Sequence, residues 1–482
     1  MRVALPLALV LVAFVVVATG CGVETTATAS TGATPPKAVG LHTLPDLHPP
    51  TLKVDHPAQG TSPGYVFVAE KGGKDRPSGP VIADNQGRVL WYHEVPAGLE
   101  ATDFRAQTYR GKPVLTWWQG KISKAGVGKG TYEIYDSSYR PLKTLKAAHG
   151  LDGDLHEFEL TPRGTAFISI YHELPYDLSA VGGPKKGYVL DSIVQELNVA
   201  TGKVVFEWHS LDHVPLSESL QANREPAHHA SKKRPFDYFH VNSIADGPGG
   251  TILVSARNTS ALYLLRRDGS IVWRLGGKKS DFGPKAAVRF FYQHNARFHG
   301  PSTISLFDNG GIPRAEKVTR PIVLRLDAAK RTVRVVKTFR TRIASPFEGN
   351  LQLLPGGGAF VGWGGVRKVT EYSAAGKVRF QLTLPYGDSY RGYRLRWSGN
   401  PGGKPLVAVD GDRVYASWNG KLGIARWQVL AGADDAHLAP VASRPWGGLE
   451  TQIALETPPV AVAVRALDTS GRTLGQSAVL TP

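Results

Sequence analysis

The stretch Arg267-Asp268-Gly269-Ser270-Ile271-Val272-Trp273 decides the fold. An acidic residue and a glycine close a tight turn, and β-branched residues then lead into a tryptophan, as in a strand leaving a hairpin. The same order recurs at Asp84-Asn85-Gln86-Gly87-Arg88-Val89-Leu90-Trp91 and from Asn198 through Gly202 to Phe206 and Trp208. Degenerate copies stand at Asp136-Ser137-Ser138-Tyr139, Asp327-Ala328-Ala329-Lys330 and Ser373-Ala374-Ala375-Gly376-Lys377. An interval of about 45 to 65 residues is that of a four-stranded propeller blade with its loops. The repeats therefore predict an all-β chain with a six-bladed β-propeller over residues 59–399, each aromatic packed between neighbouring sheets.

A second strand type alternates with the first. Residues 164–170, 250–256, 302–307 and 357–363 are small, apolar and β-branched, and read as inner strands beside a central channel. Beyond the linker Asn400-Pro401-Gly402-Gly403-Lys404-Pro405 come strands around Val414–Gly420, Ile424–Leu430, 450–455 and 460–467. They predict a small immunoglobulin- or fibronectin-like β-sandwich over residues 400–482, with Trp418 or Trp427 as its core tryptophan.

Composition agrees with many short strands. The chain has 482 residues, with 54 Gly, 34 Pro, 17 Tyr, 17 Phe and 10 Trp, and more than one core is expected at that length. Met1-Arg2 and an apolar run over residues 3–17 precede Ala18-Thr19-Gly20-Cys21. Residues 1–21 read as a lipoprotein-type signal peptide with Cys21 as the lipidation site, against a cleaved signal or short anchor. Cys21 is the only cysteine, so it has no disulfide partner. Residues 22–58, rich in Thr, Ala, Ser, Gly and Pro at their start, read as a flexible tether and lead-in. The expected location is extracytoplasmic, membrane-anchored by lipid or secreted. A net charge of +17 admits anionic surfaces or an anionic substrate, and the export signal argues against nucleic acid.

Four polar residues occupy comparable blade positions: His156 in Asp154-Leu155-His156-Glu157, His240 in Asp237-Tyr238-Phe239-His240-Val241-Asn242, Arg257 in Ser255-Ala256-Arg257-Asn258, and His294 in Gln293-His294-Asn295. Blades bring such positions to one axis. An always-charged guanidinium fork with imidazoles that donate, shuttle protons or attack suits a tetrahedral anion.

These segments, with Phe307-Asp308-Asn309-Gly310 after the last, resemble the arylsulfotransferase family from about residue 60 to 398, and its actinobacterial-type branch in particular. The resemblance implies sulfuryl transfer from an aryl sulfate to a phenol without phosphoadenosine phosphosulfate, by a ping-pong cycle through a sulfohistidine. It implies His294 as nucleophile, His240 and Arg257 against the sulfuryl oxygens, and His156 assisting proton transfer. Asn242 is a further expected donor and Trp363 an expected substrate contact. The expected partners are aryl sulfate and phenol, with no cofactor and no metal. Arg257 argues against zinc among the histidines, and no calcium-binding carboxylate set for a quinone enzyme is evident. Tandem Trp117-Trp118 read as a phenol stack or as core, and Asp308-Asn309-Gly310 as an ion site or a turn. The competing reading of the whole is a non-catalytic cell-envelope scaffold on the same propeller.

Overall fold

The computed structural model describes residues 40–73, 76–283, 289–311, 315 and 317–482. Cys21, the signal segment and most of the tether lie outside the described residues.

Strands come in sets of four. A leading strand β1 (Lys53–His56) precedes β2 (Tyr65–Glu70), β3 (Gly79–Ala83) and β4 (Val89–Tyr92). The second set is β5 (Glu100–Tyr109), β6 (Lys112–Ile122), β7 (Gly128–Tyr135) and β8 (Pro141–Leu145). The third is β9 (Gly153–Leu160), β10 (Thr165–Tyr176), β11 (Gly187–Asn198) and β12 (Val204–His209). The fourth is β13 (Val241–Asp246), β14 (Ile252–Ala256), β15 (Ala261–Leu265) and β16 (Ile271–Gly276). The fifth is β17 (His294–Phe298), β18 (Thr303–Asp308), β19 (Arg320–Asp327) and β20 (Thr332–Thr338). The sixth is β21 (Asn350–Leu353), β22 (Ala359–Gly362), β23 (Lys368–Tyr372) and β24 (Val378–Thr383). Each set is an antiparallel meander, and β1 adds to β24. The second and third sets join at a single pairing of Gly130 with Gly153. The later strand β25 (Gly392–Leu395) pairs with β2, so the first sheet is built from both ends of the segment 53–395.

All six turns identified in the sequence connect the third and fourth strands of a set. In the first, Asp84 Oδ1 accepts the N–H groups of Gln86 and Arg88 at 2.9 Å each, while Gly87 takes φ 76. Asp136 repeats the pattern toward Ser138 and Arg140, and Asn198 and Asp268 hold Thr201 and Ser270. The acidic or amide side chain adds its own bonds to the backbone bonds that close the turn, such as Gly87 N–H to the Asp84 carbonyl. Where the glycine is missing, Tyr139 (φ 62) and Arg331 (φ 53) adopt its left-handed backbone instead.

Successive sheets share apolar layers. Trp91, Phe104 and Trp117 lie between the first and second; Trp118, Tyr132 and Phe158 between the second and third; Trp208, Phe239 and Tyr263 between the third and fourth. Trp273 and Leu306 fill the fourth to fifth, Phe307 and Trp363 the fifth to sixth, and Val66, Phe360 and Phe380 the sixth to first. Trp117 and Trp118 are both fully buried and, as strand alternation requires, point into different layers, so both are core.

The first strands of successive sets meet, β5 with β9, β9 with β13, β13 with β17, β17 with β21 and β21 with β25, and the second strands reach the next sheet as well, as β10 meets β13 and β18 meets β21. The apolar runs read as inner strands form β10, β14, β18 and β22, each second in its sheet and buried. The first strands beside them differ in composition. They hold His, Asn, Asp and Glu among their apolar residues.

The tail forms β26 (Leu406–Asp410), β27 (Arg413–Ser417), β28 (Arg426–Gly432), β29 (Ala439–Pro445), β30 (Glu450–Ala454), β31 (Ala461–Leu467) and β32 (Thr473–Gln476). Sheets β26-β27-β30 and β29-β28-β31-β32 share a core around the fully buried Trp427, with Trp418 partly buried against it. Asn419 bonds both the N–H and C=O of Tyr92, covering the outer edge of β4.

Candidate active site

His156 lies within β9, His240 immediately precedes β13, and His294 opens β17. Because these first strands touch, three imidazoles from three sheets meet. The rings of His156 and His240 are 4.9 Å apart and nearly perpendicular. Tyr171 stands 5.4 Å from His156 and 5.3 Å from His240, and Tyr390 stands 5.4 Å from His156 and 6.4 Å from His294. All three histidines are almost wholly buried. His240 (φ 63), Tyr292 (φ 56), Asn295 (φ 51) and Glu348 (φ 61) take left-handed backbone around this cluster, each at a cost of about 1–3 kcal/mol.

Each imidazole is held through Nδ1. His156 Nδ1 meets Asp154 Oδ1, and His240 Nδ1 meets Asp237 Oδ2. His294 Nδ1 meets Asn309 Oδ1 at 2.7 Å. Asn309 cannot turn over, because its Nδ2 donates to the carbonyls of Ser345 at 3.2 Å and Glu348 at 2.9 Å. Its oxygen therefore accepts from Nδ1–H, and the lone pair of His294 lies on Nε2. The N–H of Glu348 approaches that lone pair at 3.3 Å. Burial, then Arg257, holds the His294 pKa well below the usual histidine value, so the ring is neutral. Burial and Arg257 also push His240 down to about 4, against the pull of Asp237, and its Nε2 is buried without a partner. Asp237 stays below the ordinary carboxylate value: burial raises it, and His240 and Arg257 outweigh that.

Arg257 follows β14, with Nε donating to Asn258 Oδ1 at 3.1 Å and its guanidinium 5.2 Å from the Tyr292 ring. Among the described residues no carboxylate forms an ion pair with it. Its charge lowers the pKa of both His240 and His294, so it faces the same pocket. Asn242 commits Nδ2 to the carbonyl of Gln293 at 2.7 Å and leaves Oδ1 unpartnered, so it offers an acceptor where a donor was expected. Trp363 is placed elsewhere. Its ring is fully buried, 5.7 Å from Phe307, and its N–H donates to Thr370 Oγ1.

Carboxylates do adjoin these positions. Asp154 and Asp237 stand two and three residues before their histidines, a spacing that signals them locally. Asn309 lies in the segment Asp308-Asn309-Gly310, and here it holds His294. Glu348, Lys71, Tyr171 and Tyr390 come from other strands and loops and carry no local signal. Lys71 Nζ lies 2.6 Å from both Glu348 Oε1 and Asp388 Oδ1.

Directly beside the pocket is a buried ion network in which carboxylates and guanidiniums are matched. Glu157 accepts from Arg105 and Arg297 at 2.6 Å each and from Arg391 at 3.1 Å, and Arg391 also bonds Asp103 at 2.9 Å. The guanidiniums hold the Glu157 pKa far below its usual value despite burial.

None of the curated proteins matches the chain. Among solved structures, a protein of unknown function from Bacteroides caccae aligns with TM-score 0.43 and 14% identity, over 69% of this chain and 98% of its own. A catalytically inactive virginiamycin B lyase from Staphylococcus aureus aligns with TM-score 0.29 and 9% identity, over 76% and 96%. AztD from Citrobacter koseri aligns with TM-score 0.28 and 12% identity, over 70% and 99%. These likenesses are too distant to transfer a function. The family comparison is of another order: the arylsulfotransferase (ASST) model matches residues 105–384, more than half the chain and every group around the three imidazoles except Lys71, Asp388 and Tyr390, and the chain belongs to that family.

Proposed function

We propose that this protein is an aryl-sulfate sulfotransferase independent of phosphoadenosine phosphosulfate, built on a six-bladed propeller closed by β25 against β2 and followed by an immunoglobulin- or fibronectin-like sandwich. The observation that carries it is His294: neutral, its Nδ1 fixed by Asn309 so that the lone pair lies on Nε2, and close to the guanidinium of Arg257, which forms no ion pair among the described residues. In the first half-reaction the donor's sulfuryl oxygens lie against Arg257. His294 Nε2 forms a bond to sulfur as the bond from sulfur to the aryl oxygen breaks, and a phenol leaves. In the second, an acceptor phenol attacks the sulfohistidine and His294 is released. His156 assists proton transfer at the phenolic oxygen. His240, if it takes up a proton from solvent as the anion binds, donates from Nε2 beside Arg257, and Asp237 stabilises that charge. The N-terminal segment would export the protein and hold it to a membrane through Cys21.

The test is incubation with p-nitrophenyl sulfate and phenol. Nitrophenolate release that depends on phenol is expected, with a loss of at least about 10³-fold in His294→Ala. Undiminished release by that variant would remove His294 as nucleophile.

A further inference from the structure

Glu348 stands two residues before β21, the place on the sixth sheet that His240 holds near β13 and His294 at β17. Its backbone N–H faces the nucleophilic nitrogen of His294, and its carbonyl anchors Asn309. Its carboxyl is therefore one side chain from the atom that would carry the sulfuryl group. One oxygen, Oε1, is bound by Lys71 at 2.6 Å. The other, Oε2, is buried with no hydrogen-bond partner among the described residues. A buried, unpartnered carboxyl oxygen in a reaction pocket lacks a donor, and the phenolic O–H is the donor that the chemistry supplies.

We propose that Glu348 is a further catalytic residue, its Oε2 binding the phenolic oxygen and exchanging the phenol proton with it. This rests on the sulfotransferase reading. In the donor half-reaction the Oε2 proton passes to the leaving aryl oxygen as the sulfur–oxygen bond breaks and the nitrogen–sulfur bond forms, leaving Glu348 ionised. In the acceptor half-reaction the carboxylate takes the proton of the incoming phenol as its oxygen bonds sulfur and His294 departs. One proton is thus lent and recovered in each cycle, and no outside acid or base is consumed. His156 orients the phenol without keeping the proton.

The surroundings suit that exchange. Burial and Asp388 raise the Glu348 pKa to about 7, while Lys71 and His156 pull it down. Tyr390 and His294 complete the ring of groups facing it. A carboxyl near 7 both gives and accepts a proton at neutral pH.

Glu348→Gln keeps the backbone N–H and an oxygen for Lys71 but cannot carry the proton. With phenyl sulfate, whose leaving phenolate needs the proton, kcat/KM is expected to fall about 100-fold or more. With p-nitrophenyl sulfate, whose phenolate leaves unaided, the fall should stay within about fivefold. Wild-type kcat/KM for phenyl sulfate should decline above about pH 7 as Glu348 ionises. That limb should vanish in Glu348→Gln and move to higher pH in Lys71→Gln, which keeps the carboxyl and serves if the first variant does not fold. Equal losses with both donors, or an unmoved limb in either variant, overturn the proposal while leaving the sulfotransferase reading intact. Wild-type protein inert toward both donors would end both.

Discussion

His156 and Glu157 are adjacent residues of β9, yet alternation of the strand sends them into opposite electrostatic settings. Glu157 enters a network in which Asp103, Arg105, Arg297 and Arg391 leave its charge compensated. His156 enters a pocket where, among the described residues, Arg257 forms no ion pair and Oδ1 of Asn242 and Nε2 of His240 have no hydrogen-bond partner. Arg105 Nε and Arg391 Nε lack one too, so the two settings differ in whether charges are matched and not in whether every atom is bonded. Buried charges that only hold sheets together are matched, and those that act on a substrate are left open for it.

The comparison breaks most visibly if the network is dispensable. Glu157→Ala strips the shared acceptor from three guanidiniums, and removing one member of a buried ionic cluster costs about 3–5 kcal/mol. Denaturant unfolding should show that loss. A change under about 1 kcal/mol would mean that water reaches the network.

Arg257 should behave in the opposite way. Among the described residues it has no ion-pair partner to orphan, so Arg257→Ala should leave the unfolding midpoint nearly unchanged while kcat/KM for aryl sulfates drops about 10²–10³-fold, the cost of removing one oxyanion donor. A variant that unfolds easily, or one that turns over normally, would erase the distinction between the two settings.

Acid separates them next. His240 and His294 have pKa values below the unfolded histidine value, so the unfolded chain binds protons that the native site refuses. Stability should therefore fall as pH drops from about 6.5 toward 4, with a slope of at most about 1.4 kcal/mol per pH unit for each group. The sign is fixed: a raised histidine would lose stability as pH rises. His240→Gln should flatten part of the slope. An unchanged slope in that variant would show that His240 is protonated in the native state.

The parts of this design that were legible in the sequence are those written locally. Six turns were readable because three carry Asp or Asn with Gly, the chemistry of one tight hairpin, and three are degenerate copies of it, and all six fell between third and fourth strands. His156, His240, Arg257 and His294 were readable as a recurring position, and they do converge. The first strands were less legible, because Gly153–Leu160 has the sequence GDLHEFEL, in which buried Leu155, Phe158 and Leu160 are mixed with buried Asp154, His156 and Glu157. The pairing of β25 with β2 had no signal, since Gly392–Leu395 is four residues long and its partner is over 300 residues away. Lys71, Glu348 and Tyr390 reach the pocket by the same long-range route, so no local pattern announces them. Trp363 looked like a substrate contact because it ends an apolar strand, and the sheet's twist turns it into the neighbouring layer.

The smallest expected effect tests the finest part of the comparison, the difference between carboxylate and amide behind the histidines. Asp237→Asn gives His240 the kind of partner that His294 has in Asn309. The neutral ring loses little, because an amide oxygen still accepts from Nδ1–H. The charged ring, needed only while the sulfuryl oxygens press against it, loses a charge-assisted bond and keeps a neutral one, a difference of about 1 kcal/mol. kcat/KM should therefore fall about fivefold to tenfold, with the unfolding midpoint nearly steady, since Asp237 Oδ1 has no other partner to lose. A loss as deep as that of Arg257→Ala would mean that His240 is charged before substrate arrives. No loss at all would mean that it never becomes charged, and Arg257 alone would then carry the sulfuryl oxygens.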